Sequence, residues 1–469
     1  MYREYGLARE ELKKQINEGH YDIIIVGGGI VGAGLFREQA LHGLKVLLLD
    51  QADFNSQTSQ GSSKMLHGGI RYLENMDFSL VFEALREKNL WLKLTPHITK
   101  EVPFYLPIYK ESKWPLMFMR VGLFLYDFLS LFKNSPHRIL NYKQTIKEMP
   151  GIKTQGLVGA GLYYDGIVDD AKLGLECIYD GLNNKNCKAL NYQEVTSITK
   201  DENDQHTVEF QDTLNKDKSK ATSQFVIMAT GPFTDQAMSN LSIPWSPVIL
   251  PSKGAHLWLE ENSLPITEAM VLQTKDQRII FVIPQRHSIL VGTTEIPIDP
   301  KTPMLNIKPT QEEIQYLLDV VNEYFPESNV KYENILSSFA AVRPLVKAKN
   351  SSSKTSRNHK VFNPQKNLYV LVGGKYTTFR KMAQDLNKKI FKQLNIKHDK
   401  SLTLQPLRTT SIVENPFDRK ISLDDLKLIL KNENVRTKED LLNRRLSLPT
   451  LRHFNDQDLE SLILQLDFK

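Results

Sequence analysis

The sequence predicts an α/β protein that opens on a βαβ unit, and three observations carry that expectation. An apolar run at 22–26 leads into Gly27-x-Gly29-x-x-Gly32 and a helix, and a second apolar strand at 45–49 ends in Asp50. Two strands far down the chain, 225–229 and 368–372, also end in small-residue turns (ATG and GGK). Self-similarity with a period of roughly 20–50 residues is absent, which removes solenoids and propellers.

The opening unit reads as a dinucleotide site. Gly27 permits the tight turn, Gly29 lets backbone approach a pyrophosphate, and Gly32 lets helix and strand pack closely. The helix start supplies N–H groups and the positive end of a dipole. Asp50, about 20 positions after Gly29, stands where a carboxylate accepts ribose hydroxyls. It does not decide between NAD and FAD. The glycines after 225–229 and 368–372, including Gly231 and Gly374, suggest a chain that returns twice to one extended ligand, as enclosing FAD requires. With no second strand–GxGxxG–helix unit for a nicotinamide, the flavin would be reduced by the substrate itself.

The remaining elements follow from periodicity. A polar Ser/Gln/Gly loop spans 51–64, helices are expected at 78–94 and 311–324, and strands at 279–284 and 288–291. Charged helical segments follow Pro416, and polar stretches at 347–358 and 394–400 read as surface loops. The most lipophilic stretch, 116–132, carries Arg120 and Asp127 and falls short of the roughly 20 residues of a spanning helix. It is expected to be a buried helix under the sheet, in preference to a partner or membrane-surface helix. Residues 1–20 mix acidic with basic residues and lack an apolar core. They match neither a secretory signal nor a transit peptide, so the protein is expected to start here, in the cytoplasm.

Composition bounds the function. The 469 residues include 24 Gly and 22 Pro, about a tenth of the chain, and 24% charged residues, which excludes disorder and fibre. The length allows roughly three structural units. Two cysteines, Cys177 and Cys187, form neither a close redox pair nor a zinc ribbon, and no metal site is expected. The net charge of +6, with pI near 8.9, favours anionic partners. Nucleic acid fits worst among them, because the basic residues are dispersed among acids without a clustered aromatic and basic motif.

Ten segments resemble the FAD-dependent, respiratory, quinone-linked glycerol-3-phosphate dehydrogenases. They are 23–34 (IIIVGGGIVGAG), 58–74 (TSQGSSKMLHGGIRYLE), 120–127 (RVGLFLYD), 168–173 (VDDAKL), 229–232 (ATGP), 253–256 (KGAH), 278–284 (RIIFVIP), 291–294 (VGTT), 341–345 (AVRPL) and 372–380 (VGGKYTTFR). The resemblance implies a discontinuous, Rossmann-like FAD-binding domain (21–95, 150–240 and 335–395). It also implies a mixed β-sheet substrate domain (96–149 and 241–334) and a small C-terminal helical cap (396–469), behind an N-terminal extension (1–20). It implies oxidation of sn-glycerol 3-phosphate to dihydroxyacetone phosphate, with electrons passed to ubiquinone or menaquinone at the cytoplasmic face of an anionic membrane. A homodimer is compatible with it. Val31 stands where the family often has a polar residue, and the segment after about Lys400 carries no D-x-D-x-D-G calcium loop, so calcium control is not implied.

A phosphate dianion is best held by guanidinium forks, and Arg71, Arg343 and Arg357 are the candidates. By family position Arg71, Tyr72 and Arg357 would hold the phosphate, with Arg343 nearer the reacting carbon. Oxidising a secondary alcohol also needs a base within about 3 Å of the hydroxyl, and His67, His256 and Lys375 remain open for that role. Lys375, or the helix start after Gly374, would supply a cation beside the reduced flavin. The expected cofactor set is Gly27, Gly29, Gly32, Asp50, Ser62, Ser63, Lys64, His67, Gly231, Gly374, Lys375 and Thr377. A helix from Phe379 to Leu394 shows an amphipathic basic pattern, but its place after a dinucleotide strand predicts that its apolar face packs on the sheet. A soluble oxidase that makes H₂O₂ shares all these motifs, and a non-catalytic FAD protein would have no use for the arginines.

Overall fold

The computed structural model describes residues 9–348, 351–356, 359–415, 420–449 and 457–466. The strand His20–Val26 lies at the centre of a sheet, with Val46–Leu49 on one side and Lys218–Met228 on the other, both parallel to it. Lys188–Leu190 extends the sheet beyond Val46–Leu49, and Leu368–Val372 extends it beyond Lys218–Met228, again in parallel. These strands read as unbroken apolar runs because both faces are covered. Ile23, Ile25, Val46 and Leu48 pack under the helices Ile30–Leu41, Asp170–Gly181 and Phe379–Gln393. Their neighbours Ile24, Val26, Leu47 and Leu49 face Val208, Phe210 and Met238. Strand Lys218–Met228 turns antiparallel partner at its start, pairing through Lys218–Ser223 with His206–Asp212.

Among the described residues the second sheet has 11 strands and is mixed. Its long members pair antiparallel, Thr99–Tyr109 with Leu157–Val168 and Ile249–Glu260 with Ile335–Ala348. A parallel step joins Ala269–Gln273 to Thr99–Tyr109. Helix Gln311–Tyr324, opened by a Thr310/Glu313 capping box, covers one face through Ile314, Leu317, Leu318 and Val321. Leu157–Val168 and Ile335–Ala348, which fall within the ranges that the resemblance gives to the dinucleotide unit, are strands of the second sheet. A correction concerns 347–358, of which Ser351–Ser356 pairs as a strand with the end of Ile335–Ala348. Backbone groups make that pairing, so a polar segment adopts it without the apolar alternation that marks a buried strand.

The largest departure is the helix Leu116–Leu129. It packs one side on Leu157–Val168, where Gly159 and Gly161 let Leu116, Met119 and Leu123 lie close. Among the described residues no second layer covers its other side, and Met117, Phe118, Val121, Phe124 and Phe128 are exposed. By contrast, Phe379, Met382, Leu386 and Ile390 of the helix Phe379–Gln393 are buried, as its position after a strand predicts. Among the described residues, no helix is long and apolar enough to cross a membrane.

The C-terminal helices form their own small core around Leu426, Ile429, Leu441 and Leu459. Polar anchors hold it to the first sheet. Arg444 and Arg445 both donate to the buried Asp53 carboxylate. The buried Lys172 ammonium donates to the carbonyls of Val413 and Glu414, at 2.6 and 2.5 Å.

Candidate active site

A cavity of about 820 Å³ opens between the carboxyl ends of the parallel strands and the second sheet. In an open α/β sheet this crevice is where a ligand sits. Its first wall is made by the glycine turn. Gly27 has φ +107°, and a side chain there would put its Cβ 2.5 Å from the Ala229 carbonyl oxygen. A Cβ on Gly32 would lie 1.9 Å from the Gly27 carbonyl oxygen, so helix and strand meet at a distance that excludes any other residue. Asp50 accepts from the Gly28 N–H at 2.6 Å and the Ala52 N–H at 2.8 Å. Burial pushes its carboxyl up to about 7, against the pull of those two donors. Gly231, Gly373 and Gly374, all at positive φ, bring the other two strand ends to the same cavity. The lining takes in Asp50, Gln193–Thr196, Tyr72, His256, Arg343 and Lys375. A crevice lined by the N-terminus of the helix Ile30–Leu41 fits a dinucleotide.

The second wall comes from paired strands of the mixed sheet. His256 stands opposite Phe339 in the ladder, and its ring stacks on that side chain with centroids 4.9 Å apart. His256 Nε2 and Ser63 Oγ share a hydrogen bond of 2.9 Å, whereas buried Nδ1 has no hydrogen-bond partner among the described residues. Burial, reinforced by the Arg343 and Lys64 cations, holds the imidazole well below its usual pKa, so it is neutral near pH 7. Arg343 donates to Thr293 Oγ1 at 2.9 Å and to the Thr294 carbonyl at 3.2 Å. Gly254 makes room for it, since a Cβ there would lie 2.4 Å from Arg343 Nη2. Lys375 Nζ lies 3.5 Å from the centre of the Tyr72 ring, a cation–π contact.

Of the residues singled out from sequence, Gly27, Gly29, Asp50, Ser62, Ser63, Tyr72, Gly231, His256, Arg343, Gly374 and Lys375 all line this one cavity. Others stand behind it or apart. Gly32 acts by packing. Lys64 is buried and paired with Asp170 at 2.7 Å. His67 is outside the lining, and its backbone N–H is held by Thr377 Oγ1 at 3.2 Å. Arg71 is exposed and outside the lining, because on the short helix Ile70–Asn75 it points away from its inward neighbour Tyr72. Arg357 lies outside the described residues. Neither cysteine lines the cavity, and burial pushes both thiols up to about 12.

Asp170, within the 168–173 segment, stands behind the serine loop. Its carboxylate accepts from the Ser62 hydroxyl at 2.7 Å and the Lys64 ammonium, and its carbonyl accepts from the Tyr376 hydroxyl at 2.6 Å. It therefore fixes the serine loop from behind. Phe339 and Gln193–Thr196 carry no motif in the sequence, and a lone acid such as Glu194 does not mark a cavity wall.

Comparison with known proteins adds the chemistry. The family model of FAD dependent oxidoreductases matches residues 22–379. The aerobic glycerol-3-phosphate dehydrogenase of Staphylococcus saprophyticus is 33% identical over 407 residues, 85% of this chain and 72% of that protein. The enzyme of the same name from Staphylococcus aureus is 33% identical over 412 residues, 86% of this chain and 72% of its own. Among solved structures, the glycerol-3-phosphate dehydrogenase of Bacillus halodurans complexed with FAD superposes with TM-score 0.75 at 23% identity, covering 97% of this chain and 92% of that one. The L-alpha-glycerophosphate oxidase of Mycoplasma pneumoniae with FAD bound gives TM-score 0.61 at 20% identity, over 81% and 95% of the two chains.

Proposed function

Because this chain belongs to the FAD-dependent oxidoreductases, in the glycerol-3-phosphate dehydrogenase and oxidase family, with FAD as its cofactor, we propose that it oxidises sn-glycerol 3-phosphate to dihydroxyacetone phosphate and passes the electrons to a membrane quinone. The observation that carries the substrate assignment is that Arg343, Lys375, Tyr72 and a neutral His256 all line this one cavity. FAD, when bound, accepts the hydride from the secondary carbon. The side chains hold the substrate and take its proton. Arg343 is oriented by the two threonine oxygens and lines the cavity, which places a guanidinium where an anionic or hydroxyl oxygen can meet it.

Among His67, His256 and Lys375, His256 is the base we favour. It lines the cavity, is neutral near pH 7, and keeps Nδ1 without a partner among the described residues. Burial and its two cationic neighbours make it a weak base. A phosphate dianion entering beside Arg343 offsets that repulsion and raises its proton affinity as the substrate arrives. Ser63, on Nε2, fixes the ring plane.

Anaerobic addition of glycerol 3-phosphate to the purified flavoprotein should bleach the flavin absorbance. A yellow protein that stays yellow would defeat the proposal. Reoxidation by a quinone analogue, and not by air, is expected. Rapid reoxidation by air with H₂O₂ release would instead identify an oxidase.

A further inference from the structure

We propose that Glu313, which lies outside the cavity lining, is a positioning residue for Arg343 and acts on it through Thr294; the proposal deepens the glycerol 3-phosphate reading and rests on it. The carboxylate belongs to the capping box that opens the helix Gln311–Tyr324, where Oε2 accepts from the Thr310 N–H at 2.8 Å. A capping box needs only that bond and the return bond from the cap side chain, and it works as well at a surface. Here Glu313 is 2% exposed, and its carboxylate is engaged on two further sides. Oε2 meets the buried Lys253 ammonium at 2.6 Å, and Oε1 accepts from the Thr294 hydroxyl at 2.9 Å. A buried ion pair stabilises a fold no better than apolar side chains of the same size, so its presence asks for another use.

That use is to fix one peptide. Thr294 is buried, its hydroxyl accepts from the Ala255 N–H at 2.9 Å while donating to Glu313, and its N–H donates to the Ala255 carbonyl at 3.3 Å. Its own carbonyl accepts from Arg343 Nη1 at 3.2 Å, and the Thr293 hydroxyl beside it accepts from Nη2 at 2.9 Å. Both prongs of the guanidinium therefore rest on a turn that Glu313 pins from behind.

The strand Ile249–Glu260 ties the two ends together, since Lys253 and Gly254 pair with Val342 and Ala341, next to Arg343. Gly254 and Arg343 line the cavity, whereas Lys253, Thr293 and Thr294 do not. An arginine on a long stem loses rotamer freedom when it grips a ligand, and holding both prongs beforehand meets that loss before the substrate arrives. The position calls for a carboxylate. An amide nitrogen in place of Oε2 would set a donor against the Lys253 ammonium and the Thr310 N–H.

The test uses the full-chain holoprotein. Glu313→Ala should lower kcat/KM for glycerol 3-phosphate about tenfold with a water-soluble acceptor, at unchanged flavin content per chain. Phosphoglycolate, which has anionic oxygens at both ends and no oxidisable hydroxyl, should bind about tenfold more weakly, read from the shift it causes in the flavin absorbance. In an Arg343→Lys background, which has lost the fork, the same substitution should cost less than about threefold, because nothing is left to position. A purely structural role predicts about the same tenfold loss in both backgrounds, and that result would overturn the proposal. The double variant Lys253→Met/Glu313→Leu replaces the buried pair by apolar side chains and should unfold near the wild-type temperature while still losing about tenfold in kcat/KM. Full kcat/KM in that variant would overturn the proposal even if Glu313→Ala fails to fold. Phosphoglycolate that leaves the wild-type flavin spectrum unmoved would overturn it too. A protein that glycerol 3-phosphate fails to bleach, but whose phosphoglycolate affinity falls on Glu313→Ala only when Arg343 is present, would support the positioning role while removing the proposed reaction.

Discussion

Gly254→Ala tests whether Arg343 works by its placement. A methyl group there would have its Cβ 2.4 Å from Arg343 Nη2, 2.8 Å from Arg343 Cζ and 2.6 Å from Thr293 Oγ1. Ordinary contact begins near 3.5 Å, so the guanidinium must retreat by about 1 Å. The obstructing atoms are side-chain tips, so the strand Ile249–Glu260 keeps its register and the fork alone is displaced. A hydrogen bond to a charged group is worth about 1.5–3 kcal/mol, or about 10–150-fold in rate, and a 1 Å misplacement in a reacting complex can cost about 100-fold. The expected result is a loss of roughly 10–100-fold in kcat/KM for glycerol 3-phosphate with a soluble acceptor, at unchanged flavin content per chain. Arg343→Lys, which keeps the charge and loses the fork, should show a comparable loss. Full kcat/KM in Gly254→Ala would refute the placement argument and remove Arg343 from substrate contact.

Gly32→Ala should yield protein without FAD, read as loss of absorbance near 450 nm (roughly, as for any oxidised flavin), because its Cβ would meet the Gly27 backbone oxygen at 1.9 Å and backbone cannot yield as a side chain can. His256 has a depressed folded pKa, so the unfolded chain binds more protons between that value and 6.5. Stability is therefore full above 6.5 and falls by up to about 1.4 kcal/mol per pH unit as pH drops through the window. His256→Gln should flatten the fall in unfolding temperature between about pH 7.5 and 5.5, and a slope identical to wild type would show that His256 is not held neutral. Arg445→Met leaves the buried Asp53 with less compensation and should cost about 3–5 kcal/mol in thermal unfolding, partly restored by adding Asp53→Asn. No recovery in the double variant would place the cost in Arg445's bonds to the Glu433 and Asn434 carbonyls.

The first wall of the site was legible because its geometry is made by residues that have no substitutes. A turn at φ +107° and a carbonyl 1.9 Å from any Cβ leave glycine alone at positions 27 and 32, and that necessity is written locally. The second wall is different. His256 and Phe339, or Gly254 and Arg343, meet across strands separated by more than 80 residues, and only the register of the ladder brings them together. Motif position pointed at His256 and Arg343, but nothing local marked Phe339 or the supporting role of Asp170. Arg71 shows the converse limit. Adjacent residues on a tight helix point apart, so Tyr72 lining the cavity is itself the reason that Arg71 does not.

The helix Leu116–Leu129 shows where composition stops deciding. Its sequence is that of an enclosed helix, and one side obeys the expectation, with Leu123 and Tyr126 sealed against the strand beneath. Enclosure needs a second layer, and whether one exists depends on where distant chain segments go. The carboxylate on this helix is consistent with that division. Asp127 is turned inward to accept from the His137 backbone and ring nitrogens, at 3.0 and 2.7 Å, leaving the outer side without an exposed acid. A soluble surface is kept soluble by exposed charge of both signs, whereas this face spends its acid inside and keeps Arg120 outside. Such a face is stable in water only as a small patch on a large charged body, and it gains by any contact that removes it from water.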